Sequence, residues 1–278
     1  MTLSPKATGS APVSLLTRRA DFGVQRPARG RSMTISAGLR AVSLFAGLLL
    51  MAGPAIAGPP YVTDDPEPTD PGHWEIYNFV TASHVPGDTA GSAGLDINYG
   101  PLKDLQLTAV VPIDFGGDKQ AGLGDVELAI KYRFLHQAED SLTPDVAFFP
   151  GLVTPTTSHP VGADRFGLFL PIWAQKDFGK WSLFGGGGYD INPGPENRNF
   201  WLTGLGLSRT LTDRFTMGAE IYRQTADTPG GEVFTGLNIG AAYKMTDHWS
   251  LLASAGPGIQ NPRQGGQYDW YFSLEATY

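Results

Sequence analysis

The sequence predicts an all-β protein: a closed antiparallel transmembrane β-barrel of about 12 strands. Three observations predict it. Hydrophobicity alternates with period two over windows of about 10 residues. Glycine is frequent and charge is sparse, with 36 Gly and 17% charged residues in 278, against usual shares of about 7% and about 25%. The connections alternate between tight turns and longer loops, the asymmetry of an outer-membrane barrel.

The alternation is clearest where Val126, Leu128, Ile130, Tyr132 and Phe134 interleave with Asp125, Glu127, Ala129, Lys131 and Arg133. One face is apolar and the other ionic. The same pattern carries Leu105, Leu107, Ala109, Val111 and Ile113, then Phe215, Met217, Ala219 and Ile221. It returns in Leu237, Ile239, Ala241 and Tyr243 against Asn238, Gly240 and Lys244, and in Trp270, Phe272, Leu274, Ala276 and Tyr278 against Asp269, Tyr271, Ser273 and Glu275. Gly and Pro interrupt every window long enough for a helix.

Turn signals place the strands at 72–83, 91–99, 104–114, 122–135, 144–154, 163–177, 180–190, 198–211, 213–226, 232–245, 247–256 and 268–278. Gly100 to Lys103, Gly179, Thr212 and Thr246 mark tight turns at one end, with only the segment from Gln137 to Thr143 longer. At the other end VPGDT, GGDKQ, PTTSHPVG, NPGPEN, DTPGG and PGIQNPRQGG read as longer loops.

Period two alone does not say which face points outward, and an exported soluble β-sandwich would show it too. Three features favour the membrane. The first is an export leader. Residues 1–57 hold seven basic residues and one acid, and the apolar run from Ala41 to Ala52 suits a signal-peptide core while falling short of the roughly 20 residues of a membrane-spanning helix. Ala55-Ile56-Ala57 supplies a small-x-small cleavage site, so the mature chain is expected to begin at Gly58. The long basic region ahead of Met33 points to Met33 as the translation start. A buried cytoplasmic helix is the alternative for this stretch.

The second feature is a band of aromatics near the tight-turn ends: Trp74, Tyr99, Tyr132, Phe134, Trp181, Phe215, Tyr243, Trp249 and Tyr278. The third is a last strand ending on Tyr278, an aromatic terminus of the kind presented to the outer-membrane assembly machinery. Outer-membrane lipid, that machinery and a small-molecule solute are the expected partners.

Composition excludes other classes. There is no Cys, which removes disulfide scaffolds, zinc-thiolate sites and cysteine nucleophiles. The net charge is -7 for the whole chain, and without the leader 13 basic residues face 26 acidic ones, a net of -13. Nucleic acid is therefore not an expected partner.

The string GPPYVTDDPEPTDPGHWEIY (58–77) resembles the opening of a family of outer-membrane transporters named for the meta-pathway of phenol degradation. LPIWAQKDFGKWSLFGGGGYDINPGPENRNFW (170–201) and TDRFTMGAEIYRQTADTPGG (212–231) resemble the same family. The resemblance covers nearly all of residues 58–278 and implies a barrel passing small molecules, aromatic or apolar ones among them, without catalytic residues. Members usually end in Phe where this chain has Tyr278, which weakens the assembly argument slightly.

On these grounds the expected role is a passive outer-membrane channel. A membrane-embedded lipid hydrolase is the alternative of another class. The candidate lumen residues are Asp96, Asp125, Glu127, Lys131, Arg133, Arg214, Glu220, Asn238, Lys244, Asp269 and Glu275. They either set solute selectivity or pair across the lumen as a brace. The mid-height acids Asp96, Glu127 and Glu220 would favour cations or neutral solutes over anions.

The Pro-rich stretch from Pro59 to Pro71 suits neither strand nor helix, and reads as an extended periplasmic tail or, as the alternative, a plug. Its acids Asp64, Asp65 and Glu67 lack EF-hand spacing. Gly185 to Gly188 has no Lys-Ser/Thr and no following helix, so it is not a phosphate loop. It marks a bend or a close approach to the inner wall. Ser83–His84 and Ser158–His159 are chain neighbours pointing to opposite faces, so neither makes a local dyad. His73, His136 and His248 fall at strand ends, no metal-ligand spacing is present, and no cofactor is expected. About 22 strands and a folded plug domain would be needed for a TonB-dependent transporter, more than 221 mature residues can supply.

Overall fold

A computed structural model describes residues 60–278 other than 117–118, 139–140 and 157–164. The leader, the cleavage site after Ala57 and His159 lie outside the described residues. The strands are β1 (Trp74–Val85), β2 (Asp88–Leu102), β3 (Leu105–Gly116), β4 (Lys119–Leu123), β5 (Glu127–Leu135), β6 (Asp145–Phe148), β7 (Gly151–Val153), β8 (Gly167–Phe178), β9 (Trp181–Ile191), β10 (Phe200–Thr212), β11 (Phe215–Gln224), β12 (Phe234–Lys244), β13 (Trp249–Gln260) and β14 (Tyr268–Thr277). The one described helix, α1 (Pro262–Gly265), is a single turn in the loop before β14.

These strands build twelve staves. β6 and β7 are one stave interrupted at Phe149 and Pro150, since both pair with β5 on one side and β8 on the other. β4 folds back onto the end of β3 and adds no stave. β1 pairs with β2 and with β14, so the sheet closes on itself and no stave edge is left unpaired.

The predicted windows differ from this in several places; β13 runs on to Gln260, so the first four residues of PGIQNPRQGG are strand and not loop. VPGDT is not a loop: β1 and β2 pair up to Val85 and Asp88, with Gly87 taking the turn at φ 93. The window 122–135 is split, because Lys119–Leu123 pairs back on β3 before β5 starts at Glu127.

The faces settle what period two left open. Leu107, Leu128, Ile130, Ile172, Leu205, Leu207, Ile221, Leu237 and Ile239 are exposed, while Asn98, Thr108, Glu127, Lys131, Ser182, Ser208, Glu220, Asn238 and Ser273 are buried. The apolar face is outside and the polar face inside, the reverse of a soluble sandwich. Short connections lie at the end where β1 begins and β14 finishes, the periplasmic end of such barrels. Trp74, Tyr132, Phe134, Trp181, Tyr243 and Tyr278 project outward there as expected. Trp74 stacks on Tyr99 at 4.5 Å and Tyr278 meets Trp249 edge-on. Phe215 is only half-exposed and borders the lumen cavity.

Candidate functional site

The inner wall divides into two arcs. From β7 to β12 its inward side chains include a set of large apolar ones beside polar ones such as Ser182, Ser208, Glu220 and Asn238. Phe149, Phe169, Trp173, Leu202, Tyr222 and Phe234 form one buried cluster, with Val62 of the N-terminal segment inside it. Phe184 packs against Tyr61 of the same segment.

Inward glycines make the room. A Cβ on Gly206 would strike the Phe184 ring, one on Gly236 the Tyr222 ring, and one on Gly186, at φ 149, would come within 3.0 Å of Trp173. The run from Gly185 to Gly188 thus admits the Trp173 indole from the neighbouring strand. Tyr222, lying over Gly236, reaches across to donate to Asp269 Oδ2 at 2.6 Å, and Ser83 donates to the other oxygen of the same carboxylate.

Residues 60–71 occupy the lumen, so an extended periplasmic tail does not describe them. The physical reason is that the wall supplies partners for a backbone whose prolines forbid regular pairing. Val62 N and Thr63 N donate to the two oxygens of Glu220 at 2.8 Å each, and Asn238 Nδ2 donates to Oε1 at 2.8 Å. The Tyr61 hydroxyl donates to Gly240 O at 3.0 Å, and Thr69 N donates to Gln106 Oε1 at 2.8 Å. Gly204 faces Thr63 so closely that a side chain there would overlap its hydroxyl. At the floor, Gly72 N donates to Gly100 O at 2.7 Å, where the segment turns into β1.

Lys131 is the electrostatic anchor. Its Nζ lies 3.2 Å from Asp64 Oδ1, 3.6 Å from Asp65 Oδ1 and 4.7 Å from the centre of the Phe149 ring. One ammonium faces two buried carboxylates. Burial pushes the Asp65 carboxyl well above its ordinary range, against the pull of Lys131, with Asp64 and Glu67 adding to the rise. Burial likewise raises Glu67, opposed chiefly by Arg133, and it raises the Tyr61 hydroxyl, with Glu220 reinforcing it.

The other arc, β13–β14–β1–β2–β3, is not filled. Between it and the segment lies a cavity of about 390 Å³. The wall here carries Asn98, Gln106 and Thr108, which hydrogen-bond to one another at 2.5–3.0 Å. It also carries the acids Glu75, Asp96 and Glu275 and the rings of Tyr77, Phe79 and Tyr271.

Of the residues expected from sequence, Asp96, Glu127, Lys131, Arg214, Asn238, Lys244, Asp269 and Glu275 line this one cavity, while Glu220 is buried beneath Val62 and Thr63. Asp125 is buried just ahead of β5. Arg133 lies at the floor instead, paired with Asp104 at 3.1 Å and with Asp145 at 3.8 Å. The expected cross-lumen brace of acids and bases takes another form. Lys131 and Glu220 are engaged by the N-terminal segment, and Lys244 pairs locally with Asp247 at 3.2 Å. Arg214 is exposed at the mouth.

Ser83 points inward onto Asp269 while His84 Nδ1 lies 2.8 Å from Thr89 Oγ1, so hydroxyl and imidazole occupy opposite faces. Sequence reasoning passed over Trp173, Phe184 and Tyr222. Their signal was present in the glycines 186, 206 and 236 on the face that should carry side chains.

Comparison with known proteins agrees with this architecture. A family model described as "Putative MetA-pathway of phenol degradation" matches residues 61–274. The crystal structure of an outer membrane channel from Pseudomonas putida F1 is 15% identical, covers 77% of this chain and 98% of its own, and superposes with a TM-score of 0.63. A KdgM porin solved in complex with disordered oligogalacturonate is 10% identical, covers 73% of this chain and 98% of its own, with a TM-score of 0.51. No curated protein matches.

Proposed function

This chain belongs to the phenol-degradation family, and we propose that it is a passive outer-membrane channel for small molecules. The observation that carries the reading is the continuous cavity between the segment Pro60–Pro68 and the β13–β3 arc, bounded by an inward polar face. A solute enters at the long-loop end, passes Asp269 and Tyr271, and leaves past Glu75, Glu275 and Arg214. Residues 60–71 narrow this route. Without them the twelve-stave lumen lies between the filled eight-stranded barrels and the open sixteen-stranded porins.

Solute class follows from the lining. Acids outnumber bases along the open arc, which favours cations and neutral molecules over anions. The rings of Tyr77, Phe79 and Tyr271 suit small aromatic or apolar solutes. The barrel performs no chemistry on its cargo. The leader directs export, cleavage follows Ala57, and the terminal strand ending at Tyr278 is the element offered for assembly.

Planar-bilayer recording tests this. Small cation-preferring conductance steps are expected, with faster entry of neutral aromatics into vesicles holding the protein. Anion preference, or vesicles no leakier than protein-free ones, would overturn it.

A further inference from the structure

On the inward face of β1 and β14 one carboxylate stands beside two aromatic rings. Ser83 and Thr81 on β1 pair in register with Asp269 and Tyr271 on β14, and Phe79 follows on the same face. Asp269, Tyr271 and Phe79 all line the cavity beside the N-terminal segment.

Asp269 is held in place before any solute arrives. Ser83 donates to Oδ1 from the neighbouring strand. Tyr222 donates to Oδ2 at 2.6 Å from β11, with β12 and β13 lying between. The tyrosine spans that distance because glycines leave the wall bare. A Cβ on Gly236 would strike the Tyr222 ring, and one on Gly258 would strike the Phe234 ring that packs against it at 5.8 Å. Both donors are neutral. A hydroxyl fixes the rotamer of a carboxylate without cancelling its charge, and each oxygen keeps a further lone pair for another donor. Among the described residues, the ion pairs of Lys131, Arg133 and Lys244 go to other acids. Asp269 therefore presents a full negative charge to the cavity.

The rings supply the rest of the site. Phe79 and Tyr271 are half-buried and lie within 7° of parallel, with centres 6.4 Å apart. Tyr271 stands two residues from Asp269 on one strand face, a separation of about 7 Å. Ring faces carry negative potential and attract a cation held within about 6 Å of the ring centre. An alkylated ammonium gives its apolar surface to the rings and its charge to the carboxylate at once. A neutral aromatic molecule satisfies the rings and leaves the carboxylate unused, and a hydrated inorganic cation does the converse.

We propose that Asp269, Tyr271 and Phe79 form a binding site for a substituted ammonium, and that organic cations of this class are solutes of the channel. Asp269 and the two rings touch the solute; Tyr222 and Ser83 are positioning residues that aim the carboxylate. The proposal rests on the channel reading and narrows its solute class.

Calorimetry on folded mature protein in a zwitterionic detergent tests it, with benzyltrimethylammonium chloride as the cationic probe and benzyl alcohol as the neutral one. Saturable binding of the cation, roughly tenfold tighter than that of the alcohol, is expected. Asp269→Asn, taken as the heat-modifiable barrel form, should weaken cation binding by roughly tenfold and leave the alcohol unchanged. Phe79→Leu with Tyr271→Leu should weaken the cation by about fivefold. Tyr222→Phe keeps the ring and removes the donor to Oδ2, so a smaller loss, about threefold and confined to the cation, is expected. Equal affinity for the two probes in wild-type protein overturns the proposal and requires no variant to fold. An Asp269→Asn barrel that binds the cation as wild type does also overturns it. Calorimetry does not depend on conduction. Binding by a protein that is silent in a bilayer keeps the site and sinks the channel reading, and a conducting protein that does not bind the cation sinks the site alone.

Discussion

The two arcs of the lumen wall share strand geometry and differ in contents. On β8–β12 the inward positions mix glycine and Phe, Trp, Tyr and Leu with Ser182, Ser208, Glu220 and Asn238, and the rings of Trp173, Phe184, Tyr222 and Phe234 lie over a neighbouring strand's glycine. On β14–β1–β2–β3 the inward positions are Glu, Asp, Asn, Gln, Thr and Tyr, and space is left over. Strand number fixes the circumference of a barrel. Which part of the cross-section stays wet is decided by side chains, here in a two-sided way. The N-terminal segment lies along the boundary, turning Val62 to the apolar cluster and Asp64 and Asp65 to Lys131.

Several substitutions would break or sharpen this contrast. The largest effect is expected at the boundary. Lys131→Met leaves Asp64 and Asp65 buried without their cation, and breaking a buried ion pair from one side costs about 3–5 kcal/mol. The segment should leave the lumen, and single-channel conductance should rise several-fold. Wild-type conductance in this variant would mean that the ion pairs do not hold it.

Next in size is a charge on the outer face. Ile239→Arg, beside the buried Asn238 but pointing to lipid, should cost about 2–4 kcal/mol in urea unfolding from vesicles. If Asn238→Ala costs more than Ile239→Arg, the assignment of faces is wrong at that stave. Tyr222→Phe on the filled arc removes the donor to Asp269 Oδ2. A loss of about 1–3 kcal/mol is expected by the same assay.

A pH effect of smaller size should come from the segment. Asp65 and Glu67 have carboxyls raised by burial, so their folded values lie above their unfolded ones. Such groups favour the inserted state below the unfolded value and withdraw that support as pH rises through the folded value. Cross-linking between cysteines placed by Pro60→Cys and Ser254→Cys, which stand next to each other in the folded chain, should therefore weaken toward alkaline pH, and Asp65→Asn with Glu67→Gln should flatten the profile. The smallest stability change belongs to the open arc: Glu275→Gln should stay within about 0.5 kcal/mol of wild type while lowering the cation-to-anion permeability ratio.

Much of the wall was legible in the sequence because each stave states its own faces. Val126 to Phe134 shows its two sides within nine residues, and the twelve windows fall on the twelve staves apart from the first hairpin, the fold-back at Lys119–Leu123 and the far end of β13. The segment was legible only as something other than strand or helix. Its partners lie far away in sequence: Val62 meets Glu220 across 158 positions and Ser254 meets Pro60 across 194. No local pattern encodes such a pairing. The candidate residues were chosen by facing alone, which carries no information about partners: Lys131 and Glu220 are engaged by the N-terminal segment. The glycines at 186, 206 and 236 were the one written trace of the rings on the β8–β12 arc.

The central claim, that the N-terminal segment sets the width of a small-molecule path, is tested most directly by deleting residues 60–71 and recording single channels in a planar bilayer. A conductance several-fold above wild type, with cation preference retained from Asp96, Glu75 and Glu275, is the predicted result. Unchanged conductance would contradict it, since the path would then not run beside the segment at all.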